Sequence, residues 1–339
     1  GEQIVYEIGD PRAYMLPDVI CDFTNVTLEQ AGDNRVRVSG AKGLPPSDTY
    51  KVSATYPDGN RITASFLMGG IDAPQKGQVV ADAILKKVAG LFTQLGMAPM
   101  RETSVEILGS ETTYGSHARR GDTREVVVKI GALHDDKKAL GLFAREIAQA
   151  ATGMAPGLSG LVGGRPKPFP RIRLFSTLVE KSAVTATVDL DGNTQSVDIP
   201  TGQVFDASAL PQDTDYGTAN DDADTDTTVP LVKLAWARSG DKGDHSNIGV
   251  VARKADYLPY IAAALSEEAV ADWMKHTLDP ERGRVTRWGM PGIHGMNFLL
   301  GHSLGGGGVA SLRIDPQGKA FAQQLLEFPV PVPSGLLDI

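Results

Sequence analysis

The stretch Ala237 to Asn247, ARSGDKGDHSN, concentrates residue types that perform acid–base and anion-binding chemistry. His245 could act as a general acid or base near neutral pH, and Asp241 and Asp244 are near enough in sequence to orient it. Three further residues of the stretch could bind carboxylate or phosphate groups: Arg238, Lys242 and Asn247. A polar β-turn held by internal salt bridges would have the same composition, so both interpretations stay open here. The spacing of the acidic residues and the histidine matches no metal-binding motif.

A glycine run near the C-terminal end would let backbone N–H groups approach a ligand closely: Gly305, Gly306, Gly307 and Gly308. No Lys-Ser or Lys-Thr pair follows the run, so it is not a nucleotide P-loop. His294 and Asn297 precede it and could complete a polar pocket with His245. We therefore expect the hairpin and the glycine bend to form one pocket for an anionic small molecule, with His294 as a fourth catalytic residue. A simple glycine-rich turn is the alternative.

The residues Gly301 to Gly305 match the G-x-S-x-G pattern of α/β-hydrolases, in which Ser303 would be the nucleophile. In those enzymes the catalytic histidine follows the serine along the chain, and none of the six histidines follows Ser303. The glycines after Ser303 also disfavour the helix that this pattern requires. The hydrolase interpretation is therefore rejected.

The composition excludes several classes of protein. The 339 residues carry a net charge of -8, which argues against binding to nucleic acid or to an anionic membrane surface. No apolar run is long enough to span a membrane, and the N-terminus does not resemble a signal peptide. The single cysteine, Cys21, cannot form an intrachain disulfide and is expected to be buried and inert. We expect a cytoplasmic protein.

The elements that must position these residues alternate along the chain as strands, helix, strands and helix, which predicts an α+β fold. Helical periodicity covers residues 78–97 and 135–153. Hairpin turns are predicted at Pro57 to Asn60, PDGN, and at Asp191-Gly192. In the C-terminal part, strands flank the polar stretch Ala237 to Asn247, and a helix covers 258–278. Three strand-like runs follow, of which the last is VASLRIDP, and a final helix covers 318–328.

The predicted domain organisation is a mixed α/β domain at 1–205, an acidic linker at 206–228 and a smaller α+β module at 229–339. The linker is poor in apolar residues, and its carboxylates repel one another. Six of its seven aspartates lie between residues 213 and 226: Asp213, Asp215, Asp221, Asp222, Asp224 and Asp226.

Four long phrases carry a family resemblance: YEIGDPRAYMLPDVICDFTNVTLEQ, NRVRVSGAKGLPPSDTYKVS, LAWARSGDKGDHSNIGVVAR and GMNFLLGHSLGGGGVASLRIDPQGK. Together they resemble the acyclic terpene utilisation AtuA family, over the chain from near Tyr6 to near Leu325. The resemblance implies a mixed α/β domain followed by a C-terminal ferredoxin-like module. Family members usually carry a long segment before the equivalent of Tyr6, so it also implies a truncated, processed or divided chain.

The function implied by the resemblance is the breakdown of branched acyl-CoA compounds derived from acyclic terpenes. With no Rossmann fingerprint, P-loop or triad in the sequence, redox and ATP chemistry are disfavoured. Hydration, isomerisation or C–C lyase chemistry on a CoA thioester would need acid–base groups alone, and no cofactor is implied beyond the CoA moiety of the substrate. The alternative is a non-catalytic subunit or assembly module. A homo-oligomer, or a partner chain that supplies the N-terminal portion, is expected.

Overall fold

The computed structural model describes residues 1–214, 216 and 225–337. The helices begin and end as follows: α1 (Ala73–Gln94), α2 (Lys137–Gly153), α3 (Leu258–Ala264), α4 (Glu267–Trp273) and α5 (Phe321–Leu325). The strands are β1 (Tyr14–Met15), β2 (Ile20–Asp22), β3 (Thr27–Gly32), β4 (Arg35–Ser39), β5 (Lys42–Leu44), β6 (Thr49–Gly69), β7 (Glu102–Leu108), β8 (Glu125–His134), β9 (Leu158–Leu161), β10 (Phe169–Glu180), β11 (Thr187–Leu190), β12 (Asn193–Ser196), β13 (Thr227–Pro230), β14 (Ala235–Lys242), β15 (His245–Ala252), β16 (Arg284–Met290), β17 (Gly295–Gly301) and β18 (Pro329–Val332). The mixture of helices and antiparallel strands confirms the α+β prediction.

The chain divides into two compact units, each assembled from segments that are distant in sequence. The first unit contains Gly1–Ala54, Phe175–Ser303 and Gln317–Ile339, and the second contains Thr55–Leu174 and Leu304–Pro316. Below, each unit is described by itself. Of the seven aspartates in the predicted linker, Asp215, Asp221, Asp222 and Asp224 lie outside the described residues.

The second unit is built on an antiparallel sheet in the order β10-β6-β8-β7, with β9 also paired to β6. Alternate β6 residues from Ile62 to Met68 are buried, and they pack with α1 and α2 in one apolar core. Both long predicted helices are confirmed. Asp136 begins α2, because its Oδ1 accepts the backbone N–H of Lys138 at 2.8 Å.

The hairpin turn predicted at Pro57 to Asn60 is wrong, because β6 runs through these residues without a break. In a turn, the Asp58 carboxylate would accept a hydrogen bond from a nearby backbone N–H. Here it accepts one from Arg101 at 2.9 Å. Pairing with β8 then starts at Asn60. The other predicted hairpin, at Asp191-Gly192, is confirmed between β11 and β12, where both residues have positive φ, as a type I′ turn requires.

The segment Leu304–Pro316 lies on the sheet of the second unit and is held there by a buried ion pair. Lys129 Nζ contacts Glu106 Oε2 at 2.5 Å and also donates to the carbonyl of Leu312 at 2.6 Å. The other oxygen of Glu106 accepts the N–H of Ile314 at 2.9 Å. The strand predicted for VASLRIDP is therefore wrong, since these residues bond to charged side chains of the sheet instead of pairing as a strand.

The first unit contains an antiparallel four-stranded sheet in the order β14-β15-β17-β16. One face packs against α4 and α5. The single helix predicted at 258–278 is divided into α3 and α4, because Ser266 caps a new helix by accepting the N–H of Ala269 at 3.1 Å. The edge strand β16 is covered by two residues of the acidic segment, since Gly289 N–H donates to Asp213 and Met290 N–H donates to Tyr216.

The opposite face of this sheet carries the N-terminal segment, and two glycines make room for it. A Cβ at Gly249 would lie 2.1 Å from Val5 Cβ, and one at Gly240 would lie 2.5 Å from Glu7 Cγ. Both glycines are paired in register with asparagines, Gly240 with Asn247 and Gly249 with Asn297. The segment therefore lies directly on the strands, and no other residue type would fit beneath it.

Two fully buried asparagines fix the N-terminal segment to the sheet. Asn247 accepts the N–H of Glu7 at 2.9 Å and donates to Val5 O at 2.6 Å and to Asn297 Oδ1 at 2.8 Å. Asn297 in turn donates to the carbonyls of Ile8 and Gly9, at 3.0 and 2.6 Å. The two amides thus satisfy backbone groups that would otherwise be buried without partners.

No helix among the described residues is long and apolar enough to cross a membrane. Within the same residues no group of three or more His, Cys, Asp or Glu side chains could hold a metal ion.

We predict that Asn297→Ala lowers the free energy of unfolding by about 3 kcal/mol, because it leaves the Asn247 amide and two backbone carbonyls buried without partners. Urea unfolding monitored by circular dichroism measures the change. The exposed Asn193→Ala, in the β11–β12 hairpin, is the control and should change stability by less than about 0.5 kcal/mol. Equal effects of the two substitutions would contradict the anchoring role of Asn297.

Candidate functional site

The polar stretch Ala237 to Asn247 forms a hairpin of β14 and β15, which we call the polar hairpin. Its strands bring Lys242 and His245 directly opposite each other. The side chains of such a pair point to the same face of the sheet, with Cβ atoms about 5 Å apart. Nδ1 of His245 accepts the backbone N–H of His302 at 2.9 Å. Because Nδ1 is an acceptor, the proton of the neutral ring is carried by Nε2.

His302 and Asp244 complete a small polar cluster around His245. The two imidazole rings meet edge to face, with centroids 4.9 Å apart. His302 Nδ1 lies 3.0 Å from Asp244 Oδ2, and its backbone adopts a left-handed conformation with φ 49°. This conformation is uncommon for a residue with a side chain, and it turns the His302 N–H towards His245. We call Asp244, His245 and His302 the histidine cluster.

A positively charged residue lies in the same row of the sheet as His245. Gly301 of β17 pairs with Arg284 of β16, and β17 is the strand next to His245. A Cβ at Gly301 would lie 3.5 Å from Arg284 Cγ and 3.8 Å from His245 Nδ1. Gly301 therefore lies between the imidazole and the stem of Arg284.

Burial lowers the pKa of His245 below its ordinary value, and His302 and Arg284 lower it further, while Asp244 raises it. The lowering effects prevail, so the imidazole is neutral at neutral pH. A neutral ring with its proton on Nε2 can donate a hydrogen bond to a ligand oxygen.

Asp241, predicted to orient His245, belongs to a different cluster. It pairs with Ser246 in register, so strand alternation places it on the face opposite His245. Lys319 Nζ contacts Asp241 Oδ1 at 3.3 Å, and it also binds Tyr6 Oη and Glu7 Oε1, each at 2.6 Å. Burial lowers the pKa of Lys319, but the hydrogen bonds to Glu7 and Tyr6 raise it more, so the amine stays charged. We call Tyr6, Glu7, Asp241 and Lys319 the lysine cluster.

The two predicted anion-binding cations of the hairpin lie over tyrosine rings. The Arg238 guanidinium is 4.2 Å from the Tyr6 ring centroid, and Lys242 Nζ is 6.0 Å from that of Tyr14. Both tyrosines also line a cavity of about 310 Å³. Its other lining residues are mostly apolar: Gln3, Ile4, Ile8, Phe23, Val26, Val38 and Ala41. A cavity of this kind with cations at its tyrosine rim suits an apolar ligand that carries negative charge.

Asn247, predicted to bind the ligand, has its amide fully used by Val5, Glu7 and Asn297. It is 0% exposed and positions the N-terminal segment that carries Tyr6. Its contribution to the site is therefore positional. Asn297, expected to line the pocket, has the same role.

His294 is not near His245, contrary to the expectation that they share a pocket. His294 comes just before Gly295 of β17, which pairs with Val251 of β15. His245 begins β15, six residues before Val251. At about 3.3 Å per residue, the two histidines are about 20 Å apart along β15. The exposed His294 instead lines a separate cavity of about 610 Å³, with Trp236 and Arg238.

Ser303 confirms that the hydrolase pattern is a chance match. Its side chain is 0% exposed, and its Oγ donates to the carbonyl of Leu300 at 2.9 Å. A serine nucleophile must face its substrate, and this one faces the interior.

The glycine run Gly305 to Gly308 belongs to the second unit, whereas the hairpin belongs to the first. The pocket shared by the two stays a prediction, and the glycine run is considered below with the second unit.

Sequence reasoning missed His302, Lys319, Tyr6 and Glu7. His302 was set aside with the hydrolase pattern, although it follows β17 directly, and the antiparallel pairing of β17 with β15 could have placed it beside His245. Lys319 and Glu7 are more than 300 residues apart in the sequence, and no local pattern connects them.

The comparisons with known proteins agree with this architecture. Residues 229–331, which contain the four-stranded sheet and its helices, match the model of the AtuA ferredoxin-like domain, which confirms the predicted ferredoxin-like module. Residues 1–190 match the model of the acyclic terpene utilisation family protein AtuA. The chain belongs to the acyclic terpene utilisation AtuA family. No curated protein and no solved structure matches the chain significantly.

We predict that His245 makes the native state less stable in acid. Its pKa is lower in the folded protein than in the unfolded chain, where it is about 6.5, so the unfolded chain binds more protons below that pH. The stability that His245 contributes is present above pH 6.5 and is lost as the pH falls towards the native pKa. His245→Gln should remove this part of the pH dependence.

Urea unfolding at several values from pH 7.5 to 5 tests this prediction, with the exposed His294→Gln as the matched control. NMR titration of the His245 ring gives the native pKa directly. A native pKa at or above 6.5, or identical pH profiles for wild type and His245→Gln, would contradict it.

Proposed function

We propose that the first unit binds a branched acyl compound, with a CoA thioester as its expected form, and that His245 donates a hydrogen bond from Nε2 to the carbonyl oxygen of that compound. The observation that carries this proposal is the hydrogen bond from His302 N–H to His245 Nδ1 at 2.9 Å. It assigns the ring proton to Nε2, so the group offered to a ligand is a donor. Membership of the acyclic terpene utilisation family supports branched acyl compounds as the substrate class.

The chemistry follows from the charge that develops on a thioester oxygen. Hydration of a double bond, isomerisation and C–C cleavage next to a thioester all pass through an enolate or enol. A fixed neutral imidazole can stabilise that oxygen by donating a hydrogen bond from Nε2. Because the His302 N–H holds the ring, and Asp244 holds the His302 side chain, little reorganisation is needed when the charge forms.

Lys242 and the tyrosine-lined cavity would hold the remainder of the ligand. Lys242 is opposite His245, and its amine is 6.0 Å from the ring of Tyr14, which lines the cavity of about 310 Å³. Burial lowers the pKa of Lys242, and the nearby cations Lys51 and Lys319 act in the same direction, while Glu7 and Asp241 raise it. An anionic ligand group beside Lys242 would compensate for its partial desolvation. A short branched acyl group fits an apolar cavity of this size.

We predict that His245→Gln reduces turnover of a branched unsaturated acyl-CoA, such as 3-methylcrotonyl-CoA, by about 10²–10³-fold. Glutamine keeps a similar volume but removes the ring whose Nε2 donor is fixed towards the ligand. The reaction is followed by chromatography of the CoA species, and binding by calorimetry. Unchanged binding and melting temperature with lost turnover support a role of His245 in the chemistry.

His294→Gln is the matched control and should retain turnover, because His294 lies at the other end of the strand. Crotonyl-CoA, which lacks the branch, tests the substrate class and should bind more weakly. Absence of binding to any acyl-CoA by wild type would show that the ligand class is wrong.

A second candidate function, a non-catalytic subunit of an assembly, is favoured by one observation. The β11–β12 hairpin is exposed along its whole length, and Leu190 and Val188 are 71% and 55% exposed. A two-stranded hairpin has little stability in isolation, so apolar residues on it would be stabilised by a partner surface.

We predict for this second function that Leu190→Glu dissociates the assembly and leaves acyl-CoA binding unchanged. Sedimentation velocity of wild type and variant at the same concentration measures the oligomeric state. The exposed polar Ser196→Glu, on the neighbouring strand and the opposite face of the hairpin, is the control. Identical sedimentation of wild type and Leu190→Glu would rule out an interface at this hairpin.

A further inference from the structure

The glycine run of the second unit has an unusual backbone. Gly305, Gly306 and Gly307 have φ values of 63°, 98° and 84°, which residues with side chains rarely adopt. Consecutive glycines of this kind allow backbone N–H groups to approach an anion closely. Loop shape alone does not define a ligand site, and the argument depends on the side chains beneath the loop.

Arg171 is buried beneath this loop and is not fully satisfied. It is 7% exposed, and its Nε has no hydrogen-bond partner among the described residues. A Cβ at Gly306 would lie 3.5 Å from Arg171 Nη2, so the guanidinium faces the space above the glycine. Its nearest carboxylates are Glu102 at 3.4 Å and Asp58 at 3.8 Å, which are ion-pair distances and not close hydrogen bonds.

Arg61 is a second guanidinium at the same loop. It donates to the carbonyls of Val309 and Ser311, at 3.3 and 3.2 Å, immediately after the glycine run. Its Nε is also buried without a hydrogen-bond partner among the described residues, and its guanidinium lies over the Phe169 ring, 4.9 Å from the centroid. Burial lowers the pKa of Arg61, and the neighbouring Arg171 lowers it further, as expected for two like charges held together.

The carboxylates near the loop are used by other arginines. Asp58, Glu102 and Asp135 pair with Arg101, Arg171 and Arg173. Arg61 is half-buried and has no carboxylate partner among the described residues. Charges taken out of water are normally paired, so this arrangement favours a bound anion.

We propose that Arg61, Arg171 and the glycine bend Gly305–Gly307 form a binding site for a phosphate group in the second unit. Guanidinium groups bind phosphate oxygens through two parallel N–H donors, and glycine backbone adds donors with no steric obstruction. The site is separate from the histidine cluster and does not depend on the proposed acyl-CoA chemistry.

The test measures inorganic phosphate binding to the whole protein by calorimetry and by thermal shift, with sodium chloride at equal ionic strength as the reference. Wild type should bind phosphate and be stabilised by it. Arg61→Gln should weaken binding at least about tenfold, because it removes a charge-assisted contact. Gly306→Ala should do the same, because a methyl group would occupy the space in front of Arg171. Circular dichroism verifies that each variant is folded at the temperature of the measurement.

The control is Arg145→Gln, an exposed arginine of α2 in the same unit, which should bind phosphate as wild type does. His245→Gln should also leave phosphate binding unchanged, so failure of the acyl-CoA proposal can be distinguished from failure of this one. Phenyl phosphate distinguishes the sources of the group, since tighter binding than phosphate indicates an ester and weaker binding indicates the free ion. No stabilisation of wild type beyond the chloride reference, or wild-type affinity in both Arg61→Gln and Gly306→Ala, would overturn the proposal.

Discussion

The amide pair Asn247–Asn297 is the interaction on which the site of the first unit depends. The two side chains cross from neighbouring strands and bind the backbone from Val5 to Gly9. This backbone supplies Tyr6 and Glu7 to the lysine cluster and Tyr6 to the apolar cavity. Without the two amides, a polar segment would be buried against the sheet without partners, at a cost that contacts of Val5 alone could not offset. Arg238 and Lys319 both contact Tyr6, so the position of Tyr6 also affects theirs.

In the second unit, charged side chains bind the backbone of a segment that lies on the sheet, as the two amides do in the first. The segment Leu304–Pro316 lies on a polar sheet face, and the Lys129–Glu106 pair binds its backbone at Leu312 and Ile314. A buried ion pair contributes little net stability unless its remaining hydrogen-bonding capacity is used, and here the backbone of the segment uses it. Gly131 leaves room for the segment on the sheet, because a Cβ there would lie 3.1 Å from Leu312 Cβ. In both units a segment distant in sequence is fixed by polar side chains and given space by glycine.

Most of the secondary structure could be predicted, because its signals are local. The helix that Asp136 caps and the type I′ turn at Asp191-Gly192 depend on residues within a few positions of one another. The errors have a common cause. PDGN has the composition of a turn, but the contact of Asp58 with Arg101 keeps it in a strand. VASLRIDP has the composition of a strand, but Lys129 and Glu106 hold its backbone. Both outcomes were decided by charged side chains far away in the sequence.

From the sequence alone came the α+β class, the family, the polar hairpin and His245 as a candidate acid–base residue. These rest on periodicity, residue type and long matching phrases, which are properties of the chain itself. The tertiary structure decided which residues surround His245. Antiparallel pairing of β15 with β17 places His302 beside it and His294 at the far end, and strand alternation directs Asp241 to Lys319. The register of the strands and the face to which each side chain points are set by packing between distant segments. They therefore cannot be predicted from residue type and spacing along one stretch.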